Sequence, residues 1–212
     1  MSRKAWLDIK STQDLAQYGI QNLQLALHKS NMKEFDSGMD WYVCANNRIN
    51  MTRKANFPWL SESKVTGIVA ILSPNLHWES NIEAMKEFFL SQRVIATKQV
   101  TLAAKSWMND QYQFNFKTGP KISNFFQNLL DPQDKDYVTI DRHAIRAWLG
   151  PIHARRFDDQ CGRIGLNYKS YNIIAEQYRE VATHYGILPN QLQAICWQVA
   201  RRHYGGRQYE NS

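Results

Sequence analysis

The chain is a succession of segments in which apolar residues recur every three or four positions, the spacing of one face of an α-helix. The segment SESKVTGIVAILSP, at residues 61–74, is strongly apolar and is closed by Pro74. Such a segment is typical of a central, buried helix. A short β-branched stretch, DYVTI at residues 136–140, has no evident pairing partner. The pattern therefore predicts an all-α fold.

Glycine and proline residues mark where several helices are expected to begin and end. We expect one helix to start after Gly38, and another, capped by Asp141, to end at Gly150. The last two helices are expected to be separated by Gly186 and Pro189. These signals indicate a chain of helices joined by short connections.

The composition is that of a folded, basic protein. Hydrophobic residues make up 43% and charged residues 21% of the 212 positions, which excludes a disordered chain. The formal net charge of +7 favours a polyanionic partner such as nucleic acid. Aromatic residues, at 12%, suit base stacking, although helical cores also absorb them. Composition alone thus makes DNA binding a hypothesis that specific motifs must support.

The three cysteines, Cys44, Cys161 and Cys196, are widely spaced and form no CxxC pair. This spacing argues against a zinc or iron–sulfur site. An odd number of cysteines, with an N-terminal MSRKAWLDIK that has no apolar core, predicts a reducing, cytoplasmic setting. No apolar run reaches the length of a membrane span, so we expect no membrane partner.

The stretch AAKSWMNDQYQFNFKTGPKISNFF, at residues 103–126, predicts two helices joined by a short turn that contains Gly119. A glycine lets the turn backbone approach a phosphate closely. The N–H groups at the start of the second helix favour an anion there. Such a hairpin would grip a DNA backbone without reading its sequence. An ordinary helical hairpin would need the same turn residues, and the turn alone does not distinguish the two.

Lys121 and Asp141 stand near the starts of two successive helices, with one helix and one loop between them. A neutral lysine amine can attack the C1′ carbon of a nucleotide, displace its base and leave a Schiff base. A carboxylate can stabilise the cationic sugar that forms. Taken singly, Asp141 would serve as a helix cap and Lys121 as a solvated surface lysine. Their joint occurrence beside a hairpin favours the chemical interpretation.

These segments resemble the helix-hairpin-helix (HhH-GPD) DNA glycosylases of the endonuclease III superfamily. TGPKISNF resembles the family's hairpin, and Lys121 falls on the position of the Schiff-base lysine. VTIDRHAIRAW resembles the family's V-D-T-H-x-x-R segment, with Asp141 on the catalytic aspartate and His143 and Arg146 on the next motif positions. IVAILSPNLHWESNI resembles an early buried helix followed by a DNA-facing loop, where Asn75 lies near the position of a glutamine that probes the opposite strand. The chain lacks the family's second hairpin glycine, and it resembles a divergent phage- or plasmid-associated branch.

The resemblance implies a single two-lobed helical unit over residues 1–212, with a cleft between the lobes. One lobe would span residues 65–150, with the hairpin and the catalytic segment, and the other residues 1–64 plus 151–212. The DNA-binding residues implied by the motifs are Lys117, Thr118, Gly119, Asn75, Arg142, His143 and Arg146. Candidates for the base pocket are His77, Trp78 and Trp148. Further candidates for phosphate contact are Arg155, Arg156, Arg201 and Arg202.

The function implied is a DNA glycosylase with AP lyase activity that excises a damaged or modified base. The partner would be double-stranded DNA with one nucleotide flipped out of the stack. We expect a monomer, associated with the nucleoid of a bacterial or phage-infected cell, with no iron–sulfur cluster or other cofactor and no metal at the catalytic residues. A monovalent cation at the hairpin carbonyls is compatible with the family pattern. A base-modifying transferase on the same scaffold and a non-catalytic DNA-binding protein are the alternatives.

Overall fold

The computed structural model describes residues 5–7, 9–74, 76–91, 97–161 and 164–204. These residues form an all-α fold, which confirms the fold class predicted from periodicity. The helices are α1 (Ile9–Lys29), α2 (Met32–Asn56), α3 (Glu62–Leu72), α4 (Trp78–Ser91), α5 (Lys98–Met108), α6 (Pro120–Leu130), α7 (Arg142–Cys161), α8 (Tyr168–Tyr185) and α9 (Pro189–Tyr204). Two short strands, β1 (Ala5–Leu7) and β2 (Ile164–Leu166), pair in parallel.

The contacts of the chain divide it into two compact units. The first unit comprises Met1–Trp41 and Gln133–Ser212, and the second unit comprises Tyr42–Pro132. These limits differ from the predicted lobes, 65–150 and 1–64 plus 151–212. The second half of α2 joins the second unit because Asn46 donates hydrogen bonds to the Glu62 carboxylate and to the carbonyl of Leu129, each at 2.9 Å. The start of α7 joins the first unit, in whose core its apolar face is buried.

The core of the first unit is formed by α1, α7, α8 and α9, with Trp148 and Tyr178 among its largest fully buried side chains. The Tyr178 hydroxyl donates to the carbonyl of Ala144 at 2.9 Å. The Tyr171 hydroxyl donates to the carbonyl of Val138 at 2.8 Å and accepts the N–H of Ile140 at 2.9 Å. These bonds from α8 hold both the segment that leads into α7 and the first turn of α7, and so fix the position of Asp141 between them.

Helix α2 begins before Gly38, contrary to the prediction that it starts after this residue. Asn31 and Glu34 form a reciprocal capping box, with N–H to side-chain distances of 2.9 and 3.0 Å. Gly38 instead lies within α2, where α9 packs closely. A Cβ atom at Gly38 would stand 2.5 Å from Cγ1 of Ile195. The glycine is therefore explained by close helix packing and not by a helix start.

Two other glycines act as predicted. Gly150 has φ +70° and ψ 176°, so it ends the first segment of α7, and Pro151 starts the next helical segment. Gly186 adopts the left-handed conformation at the end of α8, and α9 begins at Pro189. Left-handed backbone favours glycine, since a side chain there is strained.

The second unit is organised around α3, whose residues 65–72 are all buried, as the sequence predicted. Both α5 and α6 pack against α3. The connection between α5 and α6 spans residues 109–119 and is longer than the expected short turn. Phe114 in this connection stacks on Phe126 of α6 with ring centroids 4.2 Å apart. Aromatic packing thus fixes a longer connection where the hairpin interpretation had placed a simple turn.

Candidate functional site

Asp141 lies at the start of α7 and is half-buried. One carboxyl oxygen, Oδ1, accepts the N–H of Ala144 at 2.8 Å, and the backbone carbonyl accepts the N–H of Ile145 at 2.9 Å. The other carboxyl oxygen, Oδ2, accepts the indole N–H of Trp197, on α9, at 3.1 Å. Asp141 therefore caps α7, as expected, and in addition has its side chain bonded from a second helix.

Cationic and aromatic side chains from α7 and α9 lie around this carboxylate. His143 meets the Trp197 ring edge-on, with ring centroids 5.3 Å apart. The guanidinium of Arg201 lies 4.8 Å from the centroid of the same ring, a cation–π contact. We define the Asp141 cluster as Asp141, Arg142, His143, Arg146, Trp197 and Arg201. Arg142 and Arg201 are exposed, so the cluster presents positive charge at the surface of the first unit.

Within the Asp141 cluster, the surroundings of His143 lower the pKa of its imidazole. Burial lowers the pKa of its imidazole below the ordinary value, and the nearby Arg146, Arg201 and Arg142 lower that pKa further. Asp141 acts in the opposite direction. Nδ1 of His143 lies 3.2 Å from Nη1 of Arg146, a geometry in which a neutral imidazole nitrogen accepts a hydrogen bond from the guanidinium N–H. The arrangement favours the neutral ring.

Lys121 lies in the first turn of α6, in the second unit, and its side chain is exposed. No side chain caps the N-terminus of this helix. Within the part of the chain that the structure describes, no hydrogen bond or ion pair to the Lys121 amine is found. The amine is thus accessible to a large substrate.

The turn before Lys121 is organised by Asn115. Its side-chain oxygen accepts the N–H groups of Lys117 and Thr118, at 2.9 and 3.1 Å, and its carbonyl accepts the N–H of Gly119 at 2.8 Å. The backbone N–H groups of Lys117, Thr118 and Gly119 are therefore used within the turn itself. Gly119 has φ −136°, and a Cβ there would meet only the Asn115 carbonyl at an ordinary 3.6 Å. The fold does not require glycine at this position.

The structure brings part of the predicted site together. Asp141, Arg142, His143 and Arg146 lie in and next to the first turns of α7, in the first unit, whereas the residues from Lys117 to Lys121 belong to the second unit. Arg146 is buried beside His143, with 9% of its surface exposed. The remaining candidates lie elsewhere in the chain.

The prediction that Trp148 lines a base pocket is wrong. Its side chain is 1% exposed and its indole N–H donates to Gln177 at 2.6 Å, so the ring belongs to the core and offers no face to a base. His77 is exposed and Trp78, the first residue of α4, is half-buried. The predicted strand-probing Asn75 lies outside the described residues, as do the side chains of Arg155 and Arg156.

Two residues of α9 had roles that the sequence did not reveal. Trp197 is bonded to Asp141, although the only available signal was its position four residues before Arg201 on one helix face. Arg202, a candidate for phosphate contact, instead pairs with Glu34 at 2.7 Å and donates to the carbonyl of Lys29 at 2.8 Å. A pairing between residues so far apart in sequence leaves no local pattern.

The fold and the Asp141 cluster define an all-α protein with a basic, indole-containing surface site. The chain belongs to a protein family of unknown function, DUF7178, whose model matches residues 8–204. No curated protein and no solved structure matches the chain. Among the described residues, no helix has the length and apolar character of a membrane span, and His, Cys, Asp and Glu side chains form no group of three or more that could bind a metal ion.

Proposed function

We propose that this protein is a DNA glycosylase with AP lyase activity, in which Lys121 forms the Schiff base and Asp141 stabilises the cationic sugar. The observation that carries the proposal is the Asp141 cluster, because it combines a carboxylate with exposed arginines suited to phosphate groups. The resemblance of both motif segments to the glycosylase family supports the same assignment. The net charge of +7 agrees with a DNA partner.

The proposed reaction begins with the neutral Lys121 amine attacking C1′ of a flipped nucleotide. A bond forms between Nζ and C1′ while the bond from C1′ to the base breaks, and the base leaves with the electron pair and takes up a proton. The sugar ring opens to a protonated Schiff base. Loss of a proton from C2′ then expels the 3′ phosphate and nicks the strand. The Asp141 carboxylate stabilises the positive charge on the sugar while the base departs and, on an abasic site from which no base departs, the positive charge of the protonated Schiff base.

Exposure of Lys121 supports its role as the amine, because an attacking nitrogen must reach a carbon within a bulky substrate. Lys117, in the turn that precedes α6, is also exposed and provides a matched control. Lys117→Ala and Lys121→Ala have the same net charge, so a comparison of these two variants tests which amine reacts.

The test is sodium borohydride trapping on a duplex that contains a single abasic site. We expect the wild-type protein and Lys117→Ala to form a covalent complex, and Lys121→Ala to form none. Asp141→Asn, which retains a capping side chain, is expected to slow trapping by about 10- to 1000-fold. Equal trapping by Lys121→Ala and wild type would refute the assignment of the amine. DNA binding by wild type without any covalent complex would refute the lyase.

A non-catalytic DNA-binding role is the second candidate, and one observation favours it. Both carboxyl oxygens of Asp141 are bonded within the protein, to Ala144 and to Trp197, so a structural role accounts for the residue. This role predicts that the Lys121→Ala/Asp141→Asn double variant binds duplex DNA with at most a small loss of affinity. Fluorescence anisotropy at several salt concentrations measures this affinity. A non-catalytic role also predicts that borohydride trapping is absent in wild type and in every variant, which distinguishes this role from the lyase.

A further inference from the structure

The hydrogen bond from Trp197 to Asp141 exceeds what helix capping requires. An N-cap aspartate satisfies the orphan N–H groups of its helix through one carboxyl oxygen. In this protein Oδ1 has that role, toward Ala144, while Oδ2 accepts the Trp197 indole N–H at 3.1 Å. The carboxylate is thus bonded at both ends, from two helices, and cannot rotate without breaking one of the bonds.

Both oxygens nevertheless remain able to interact with a substrate. Each carboxylate oxygen has two lone-pair directions, and each accepts one hydrogen bond here. One acceptor direction on each oxygen is therefore not used by these two bonds. A half-buried carboxylate that is fixed in this way can meet a developing positive charge without first reorganising, which is the condition for electrostatic stabilisation of a transition state.

Trp197 is itself kept in place by its ring contacts. His143 meets the ring edge-on, and the Arg201 guanidinium covers one face. The indole is only half-exposed. Because these contacts act on the ring and not on the N–H group, a phenylalanine at this position can preserve them while removing the hydrogen bond to Asp141.

Other charged or titratable groups also surround Asp141 and must be kept constant in any comparison. His143 on α7 and Tyr171 and Tyr178 on α8 interact electrostatically with Asp141, and Arg142, Arg146 and Arg201 act on the same His143. Replacing Trp197 changes none of these charges. An effect of Trp197→Phe is therefore attributable to the lost N–H donor when the fold is preserved.

We propose that Trp197 is a positioning residue, which orients the Asp141 carboxylate toward the cationic sugar through its indole N–H. The inference rests on the proposed glycosylase and lyase function. It extends the site to α9, which the sequence motifs do not include. The geometry it requires is the bond from Nε1 of Trp197 to Oδ2 of Asp141.

The first experiment is a double-mutant cycle on the single-turnover rate of borohydride trapping with abasic duplex. Trp197→Phe is expected to lower the rate about 10- to 100-fold, the range for losing a hydrogen bond to a charged group, with little change in DNA affinity. Asp141→Asn should abolish this effect, because the asparagine amide that replaces Oδ2 cannot accept the indole N–H. Trp107→Phe is the matched control, since it loses an indole bond to the carbonyl of Lys64.

The outcomes separate the positioning role from the proposed function. The positioning role would be overturned if Trp197→Phe lowered the trapping rate by the same factor in the wild-type and Asp141→Asn backgrounds. It would also be overturned if Trp107→Phe lowered the trapping rate as much as Trp197→Phe does. If wild type traps no DNA, the lyase fails, and the contact is then decided by ¹⁵N NMR of the indole groups. Asp141→Asn should shift the Trp197 signal and leave that of Trp107 in place, and an unmoved Trp197 signal would refute the contact.

Discussion

The Asp141 carboxylate makes hydrogen bonds to two different helices. One carboxyl oxygen caps α7, and the other accepts a hydrogen bond from the indole N–H of Trp197. Its neighbours on α7 include Arg142 and His143. A carboxylate at a helix N-terminus is stabilised by the helix dipole as well as by these donors. The sequence predicted the cap, because aspartate is a preferred N-cap residue and a helical pattern follows it. It did not predict the donor on α9.

His143 yields a prediction about stability as a function of pH. Burial lowers the pKa of its ring in the folded protein below the value of 6.5 for an unfolded chain. In the range between the two values the unfolded chain binds more protons, so the free energy of unfolding rises with pH. The contribution is complete above about pH 6.5 and is lost as the pH falls through that value toward the folded-state pKa.

We therefore expect His143→Gln to reduce the loss of stability on acidification. Urea unfolding at a series of pH values between about 5 and 8 measures the effect, because histidine protonation dominates charge changes in that range. His77→Gln is the control, since His77 is exposed at the surface. An unchanged slope of unfolding free energy against pH in His143→Gln would contradict the prediction.

At the scale of elements, two helix ends were predicted correctly because glycine marks them in the local sequence. Gly150 and Gly186 end helical segments because their backbones are left-handed. Gly38 gave the same kind of signal but lies inside α2, because the contact that requires it comes from α9. A glycine that serves a turn and a glycine that serves close packing cannot be distinguished without knowing the neighbouring helix.

The space around each glycine predicts different effects on stability for two Gly→Ala substitutions. At Gly38 the new Cβ would stand 2.5 to 2.8 Å from atoms of Ile195, so we expect a loss of about 1–3 kcal/mol from overpacking. At Gly119 the nearest atom would be 3.6 Å away, so stability should change by less than about 0.5 kcal/mol. Thermal and urea unfolding measure both, and a similar loss at the two positions would contradict the packing argument.

Gly119→Ala also has a functional consequence. Because the protein itself does not require glycine there, reduced DNA binding in a variant of normal stability would indicate that a phosphate approaches this backbone. The connection that contains Gly119 is also longer than the predicted short turn. Phe114 packs onto Phe126, and such aromatic contacts in the connection depend on the tertiary structure and leave no periodic pattern.

At the scale of the whole molecule, the sequence predicted the class of the fold better than its division. The buried helix α3 was evident because its residues 65–72 are nearly all apolar or small. The limits of the two units were not evident from the sequence, since the boundary at Trp41 falls inside α2, where helical periodicity is continuous. The pair β1 and β2 was missed because each strand has three residues, too few for an alternating pattern.

The distribution of arginines over the first unit leads to a prediction about DNA binding. Arg142 and Arg201 are exposed near Asp141, so each is expected to contact a phosphate. Replacing either by alanine should lower the slope of log affinity against log salt concentration by about one. Arg202 is the comparison, because its guanidinium is already paired with the nearly buried Glu34 at 2.7 Å.

Arg202→Ala should therefore reduce stability by about 1 kcal/mol, a modest value because its side chain is partly solvated, and should leave the salt slope unchanged. Binding measured by fluorescence anisotropy from low to moderate salt, with unfolding measured in parallel, separates the two classes of arginine. Equal salt slopes for Arg201→Ala and wild type would place the DNA elsewhere on the surface. A reduced slope in Arg202→Ala would mean that DNA displaces Glu34 from this arginine, and the Asp141 cluster would then be only one part of a wider interface.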